Sequence, residues 1–300
     1  MARGASRRFH HARAFTIVTA AVTQAHHQIG SAPRAGAFAR RFAANLVLGV
    51  RTVMRPPQAR PPRVRATAVA AALLAIAAVI VAMFLFDTRA SAWALNLPRW
   101  FVQPFQLITK LGLSGWFLYP LGIMLLALAA VMSPALPRFS QGVLAALGVR
   151  FGFLFLAIGA PGLFATIIKR LIGRARPLVG GHDDPFFYVP FIWRPAYAAM
   201  PSGHATTAVS AAIAIGAIWP RTRWVMWLYA LLIMLSRVVI LAHHPSDVIA
   251  GALVGAVGAL MVRRYFAARR LGFCPRDLKP YPWPSFDRIR AAARHVVRGA

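Results

Sequence analysis

Apolar residues fall in blocks along the middle of this chain, broken by short polar stretches. Several blocks reach the roughly 20 residues that an α-helix needs to cross a bilayer core. The first runs from Ala66 to Phe86 and is closed by Asp87. A second covers 117–132, ended by Pro134 and Pro137, and a third covers 151–168, with a kink expected at Pro161. Three more follow at 202–219, 224–242 and 246–262, the turn 220–223 separating the fourth from the fifth. The pattern predicts an all-α fold, a polytopic membrane helical bundle with about six transmembrane helices. Residues 87–116 carry Trp93, Trp100, Phe101, Phe105 and Trp116, as an interfacial loop or a short surface helix would. The stretch 169–201 holds Pro177, Pro185, Pro190, Pro195 and Pro201, and no regular structure is expected there beyond a helical start.

Three parts follow from this pattern: a basic N-terminal tail (1–65), a six-span domain (66–266) and a basic C-terminal tail (267–300). The run Ala14 to Ala21 is too short to cross a membrane, and the N-terminal tail is expected to be unstructured and cytoplasmic. Its Arg-rich, acid-poor make-up also resembles a targeting segment. Met54 offers an alternative start, with Arg55 to Arg65 then a basic flank to the first span. Near the other end, Phe286, Ile289, Ala293, Val296 and Val297 fall near helical spacing among Arg288, Arg290, Arg294 and Arg298. Both a helix on an anionic membrane face and a frayed tail fit that pattern.

Composition supports the membrane reading: 59% of residues are hydrophobic and the mean hydropathy is +0.59. The formal charge is +29, from 35 Lys and Arg against 6 acidic residues, all of them Asp. No separate basic module carries a nucleic-acid motif, so no nucleic-acid partner is expected. The single Cys274 excludes an internal disulfide and a multi-cysteine metal site. The cations are unevenly placed. Residues 1–65, 133–150, 220–223 and 263–300 hold 26 of the 35. The positive-inside rule then puts both termini in the cytoplasm. By parity, the ends of spans three and five and the starts of spans four and six emerge on the opposite face.

Three polar islands lie at those ends. Lys169 is followed by Arg176-Pro177, Pro201-Ser202-Gly203-His204 opens span four, and Ser236-Arg237 leads through His243 to Asp247. Taken singly, each has a plain structural reading: flanking charge, a helix cap, or residues bounding a span. Together they hold Lys169, Arg176 and Arg237 around a small volume, which suits an anion of more than one charge such as phosphate. On a continuing helix, Lys169 and Arg176 share a face two turns apart, while Arg170 and Arg174 point away, at solvent or lipid headgroups. Ser202 is placed to cap a helix whose free amides face an anion, and Gly203 lets the backbone approach. His243 and Asp247 form a nucleophile with its orienting carboxylate. His204 is a proton donor for the leaving oxygen, and His244 a bystander. Pro245 suits a first helical turn, so the chain is expected to break near His244 and let Arg237 meet His243.

KRLIGRARP, PSGH and SRVVILAHHPSD resemble the three signature motifs of the type 2 phosphatidic acid phosphatase family, KxxxxxxRP, PSGH and SRxxxxxHxxxD, with no departure at a signature position. The match covers roughly residues 66–266, and LITKLGLSGWFLYPLG also looks like bacterial lipid phosphatases of this family. The resemblance implies a six-span helical bundle in which lipid phosphates or diphosphates are hydrolysed without metal or other cofactor. It implies His243 as a nucleophile forming phosphohistidine, Asp247 orienting it, and His204 as general acid. Lys169, Arg176, Ser202, Gly203 and Arg237 would hold the phosphate. The partners expected are a lipid phosphate substrate and membrane lipids. Undecaprenyl diphosphate, phosphatidylglycerophosphate, phosphatidic acid and lipid A phosphates are all candidates. The Arg-over-Lys bias suggests a GC-rich bacterial genome, hence a bacterial inner membrane with the site facing the periplasm. Three alternatives stand beside this reading. One is a phosphotransferase using another acceptor, and one is a silent lipid-binding or transport relative. The third is the similar pocket of the vanadium haloperoxidases, soluble proteins against which the spans argue.

Overall fold

Runs of Ala, Leu, Ile and Val become helices in this protein because a helix satisfies every backbone N–H and C=O within its own segment, as an apolar surrounding demands. The computed structural model describes residues 34–181 and 183–298, and among them no extended sheet forms. The helices are α1 (Arg34–Met54), α2 (Ala66–Leu85), α3 (Asp87–Leu95), α4 (Arg99–Ile108), α5 (Gly115–Val131), α6 (Arg138–Ile172), α7 (Gly203–Ile218), α8 (Arg223–Val239), α9 (Pro245–Ala268) and α10 (Phe286–Arg298). Among the described residues, five stretches are long and apolar enough to cross a membrane: Ala66–Leu85, Arg99–Val131, Arg138–Ile172, Pro220–Val239 and Pro245–Ala268. This is an integral membrane protein.

The sixth expected span, α7, has only 16 residues, about 24 Å at 1.5 Å per residue. It is short because protein, more than lipid, surrounds it: 12 of its residues are buried, most of them Ala, Ser or Thr. Small side chains let neighbouring backbones come close. A β-carbon on Gly251 of α9 would lie 2.4 Å from the Ser202 carbonyl oxygen, and one on Gly255 would lie 2.5 Å from that of Thr206. Thr206 Oγ1 also donates to Gly251 O at 3.0 Å. On its other side, α7 packs Ala208, Val209 and Ala212 against Ala230 and Ile233 of α8.

The chain divides into two compact units. Residues 62–119 and 154–263 form the unit just described, which contains every polar island. The other takes residues 34–61, 120–153 and 264–298 of the described part. There Phe153 meets Phe273 and Phe266 edge-on, with ring centroids 4.6 and 5.5 Å apart.

Three expectations are corrected. The tail 1–65 is not unstructured throughout, since residues 34–54 form α1 (residues 1–33 lie outside the described part). Arg41, Phe42, Ala44, Asn45, Leu48 and Thr52 recur at helical spacing along its less exposed face. The Asn45 amide donates to Ala129 O at 2.8 Å and Met132 O at 2.9 Å. Span three is much longer than 151–168, and α6 runs through Pro161 for 35 residues. Finally, 169–201 is not wholly irregular. Gly173 turns the chain out of α6 with φ +64°, Arg174 pairs with Tyr188 in an isolated antiparallel bridge, and Pro195–Tyr197 is a 3-10 turn. The C-terminal pattern, which fitted two readings, forms the helix α10.

Candidate functional site

The three islands meet within the one unit. Span five ends at Val239, where Leu241 takes a left-handed φ of +54° and the His243 N–H donates to Arg237 O at 3.2 Å. That turn supplies the expected break, and α9 starts at Pro245. Asp247 then sits in the first turn of α9, with Oδ2 3.6 Å from His243 Nδ1. His243 is 3% exposed. Burial pushes its imidazole pKa down to about 4, with Arg237 and Arg176 adding to the effect and Asp247 opposing it. The ring is therefore neutral above about that pH, as a nucleophilic nitrogen must be. With Nδ1 on the carboxylate side, Nε2 is the ring nitrogen that can act as a nucleophile.

The Ser202 amide donates to Asp247 O at 2.9 Å, tying the start of α7 to the start of α9. Ser202 occupies the cap position, but its hydroxyl does not cap the helix. Oγ is buried and without a partner, available to a bound oxyanion. Lys169 reaches the same place, its Nζ 3.0 Å from where a Gly203 β-carbon would stand. A side chain at Gly203 would press on that ammonium and displace it. Arg237, Lys169, Arg176 and His243 all act electrostatically on His204.

Sequence spacing misplaced several residues. Arg176 does not share a helical face with Lys169, because α6 stops at Ile172. Gly173 is the helix-ending glycine, and its presence just past the apolar run is the signal for that stop. A side chain at Gly173 would place Cβ 1.8 Å from Val189 O. Arg176 instead sits in the following segment, its N–H donating to Ala196 O at 2.8 Å. Its guanidinium pKa is lowered by burial, with Asp247 opposing and Arg170 adding to the fall. That marks it as one of a crowd of cations.

Arg174 points inward, not at solvent or headgroups. It is fully buried, and every guanidinium nitrogen is bonded. Nε donates to Pro185 O at 2.9 Å and Nη2 to Asp87 Oδ2 at 2.7 Å. Nη1 donates to Ser246 Oγ at 2.6 Å and to Asp247 Oδ1 at 2.5 Å. Burial works against its charge, yet Asp247 and Asp87 outweigh that and hold the pKa above the usual arginine value. His244, expected to be a bystander, is tied into the same network. It is fully buried, its N–H donates to Asp247 Oδ2 at 3.0 Å, and its Nε2 lies 3.0 Å from Asp183 Oδ1. Burial opposes its protonation, but Asp247 and Asp183 raise its pKa.

The 3-10 turn Thr109–Gly112 was read only as interfacial. Thr109 Oγ1 accepts from Arg237 Nη1 at 2.6 Å, steadying that guanidinium. Gly112 leaves room for the imidazole, since its β-carbon would lie 2.8 Å from His204 Cδ2. The signal for Thr109 was present, in a polar residue at the membrane end where the islands emerge. Among the described residues, no group of three or more His, Cys, Asp or Glu side chains is placed to hold a metal ion. The assembled groups offer a neutral imidazole, a carboxylate behind it, a second imidazole, and Lys and Arg donors with spare N–H bonds. Such a set can hold a phosphoryl group and attack it.

The chain is similar to several known proteins. The chain is 34% identical over 213 residues to a lipid A 1-phosphatase of Rhizobium johnstonii, covering 70% of this chain and 84% of that one. It is 34% identical over 161 residues to a decaprenylphosphoryl-5-phosphoribose phosphatase of Mycobacterium tuberculosis, covering 53% and 80%. A solved structure of a transmembrane PAP2 type phosphatidylglycerolphosphate phosphatase from Bacillus subtilis aligns with a TM-score of 0.43 at 19% identity, over 64% of this chain and 94% of that one. The PAP2 superfamily profile matches residues 150–271, the stretch that holds all three islands. With that profile over the site and a relative matched along most of its length, the chain belongs to the PAP2 superfamily.

Proposed function

We propose that this protein is a membrane lipid phosphatase that hydrolyses a phosphomonoester or diphosphate on a lipid headgroup through a phosphohistidine. The observation that carries the reading is a buried His243 with Nδ1 toward Asp247, beside an unpartnered Ser202 hydroxyl and the Lys169 ammonium over Gly203. The lipid phosphatases among its relatives support it.

In the first step, Lys169, Arg176, Arg237, Ser202 Oγ and the Gly203 amide bind the phosphate oxygens. His243 Nε2 attacks phosphorus, a P–N bond forms and the P–O bond to the lipid breaks. His204 gives its proton to the leaving oxygen, while Asp247, with Oδ2 3.6 Å from His243 Nδ1, faces the charge that the ring gains. In the second step, His204 takes a proton from water, the water oxygen attacks phosphorus, the P–N bond breaks and phosphate leaves. The cations supply the charge stabilisation that a metal would otherwise provide. Purified protein in detergent, given undecaprenyl diphosphate, phosphatidylglycerophosphate, phosphatidic acid and lipid A in the presence of EDTA, is expected to release free phosphate from at least one of them. Phosphate appearing only on an acceptor, or activity that requires added divalent metal, overturns the reading.

The site faces the non-cytoplasmic side of a bacterial inner membrane, with both termini in the cytoplasm. The support is the distribution of Lys and Arg among the loops. With Cys274 replaced, a membrane-impermeant thiol reagent applied to intact cells is expected to modify a cysteine placed in 186–195 and to spare one near Arg221. The opposite labelling pattern reverses the orientation.

A further inference from the structure

Asp247 has a competing duty. Its Oδ1 holds the Arg174 guanidinium while Oδ2 lies toward His243. A carboxylate paired with one arginine forms a neutral couple, and a neutral couple gives an imidazole gaining positive charge little stabilisation. The same guanidinium carries a second carboxylate. Asp87, from the corner between α2 and α3, accepts Arg174 Nη2, and it also accepts the Ser246 amide at 3.0 Å and the Ser246 hydroxyl at 2.5 Å. The side chains of Asp87, Arg174 and Asp247 are all at 0% exposure. Charges so placed are weakly screened. The trio therefore carries one net negative charge, directly behind His243.

We propose that Asp87 is a positioning residue for the reaction: it offsets the charge of Arg174, so that Asp247 stays oriented by that arginine yet remains effectively anionic toward His243. The inference rests on His243 being the nucleophile and Asp247 its orienter. Lys169 of α6 acts on His204 and Asp247, while Asp247 faces His243 from α9, Arg237 from α8, His204 from α7 and Arg176 from the segment after α6. His244 adjoins it and carries Asp183 as its own counter-charge. None of these changes in the variants below.

The test uses the full chain in detergent, with Asp87→Asn, Arg174→Met and the double variant. The first readout is the His243 ring ¹H and ¹⁵N resonances at neutral pH, assigned by their loss in His243→Gln. Asp87→Asn removes a negative charge and is expected to move the Nδ1–H proton upfield, as the negative field from the Asp247 side weakens. Arg174→Met is expected to move it downfield, and the double variant, whose net charge equals that of the wild type, to return it toward the wild-type position. The second readout is turnover. Asp87→Asn is expected to lower kcat about tenfold, the equivalent of one pKa unit of lost stabilisation, with KM within about twofold. A His243 resonance unmoved by Asp87→Asn, or moved further in the double variant than in either single one, overturns the inference. So does a fall of kcat that only follows a loss of thermal stability. The resonances need no turnover, so this result stands apart from the phosphatase reading, which fails instead if the wild-type protein forms no phosphohistidine.

Discussion

Replacing His243 with alanine is expected to abolish phosphate release, leaving less than about a thousandth of wild-type turnover, because both half-reactions of the proposed mechanism pass through its ring. Phosphate ester hydrolysis is among the slowest uncatalysed reactions, so nothing else in the site replaces the divided barrier. Neighbouring variants should grade around this one. His204→Ala is expected to keep much of the attack on substrates with good leaving groups, which need little proton donation, while losing about 10²–10⁴-fold on lipid esters. Asp247→Asn leaves His243 without its anion and favours the wrong ring tautomer, so turnover should fall steeply. The direct measurement is a quenched reaction with labelled lipid phosphate. Label that is base-stable and acid-labile is expected on the wild-type protein and absent from His243→Ala. Label persisting in that variant removes His243 from the role.

The second large effect is expected in a residue that bears no chemistry. Gly255→Ala puts a methyl group 2.5 Å from the Thr206 oxygen and 3.2 Å from the Ser210 nitrogen. Both are backbone atoms of α7 and cannot rotate aside, so α7 and α9 must separate. Such overpacking costs about 1–3 kcal/mol or more. Here it also pulls the Ser202 end of α7 from the Asp247 end of α9, which a single 2.9 Å hydrogen bond joins. Melting temperature and turnover are therefore expected to fall together. Gly162→Ala is the control, because its methyl group meets nothing within 4 Å. Ordinary stability in Gly255→Ala would show that the helices are less closely apposed than this packing requires.

Much of the site is local in character and could be read from spacing. The break before Pro245 follows from proline's missing N–H, and it brings His243 back toward Arg237 across six residues. The pairing of His243 with Asp247 needs only one turn of chain. Lys169 at the end of an apolar run and Ser202 at the start of the next follow from the same hydropathy boundaries that define the helices.

Arg174 shows where such reading stops. Arg170, Arg174 and Arg176 are three like cations within seven residues, and a helical wheel sends Arg174 outward. The helix ends at Gly173, however, and the bridge to Tyr188 turns Arg174 into the protein. What draws it there are carboxylates 87 and 73 positions away, which no local pattern contains. Asp87 itself carries a sequence signal: it is one of only six acids among 35 cations, at the membrane end where the islands emerge. Its partner is not deducible from that.

The amino-acid sequence alone determined the membrane-spanning character of this protein, the order of its apolar segments and the three islands, because hydropathy, proline and short helical spacing act within a few residues. Tertiary structure alone decided which arginine is buried, that Thr109 and Gly112 stand against Arg237 and His204, and that α7 can be short. Those outcomes depend on desolvated charge finding opposite charge, and on backbones meeting where side chains are small, between segments tens of residues apart.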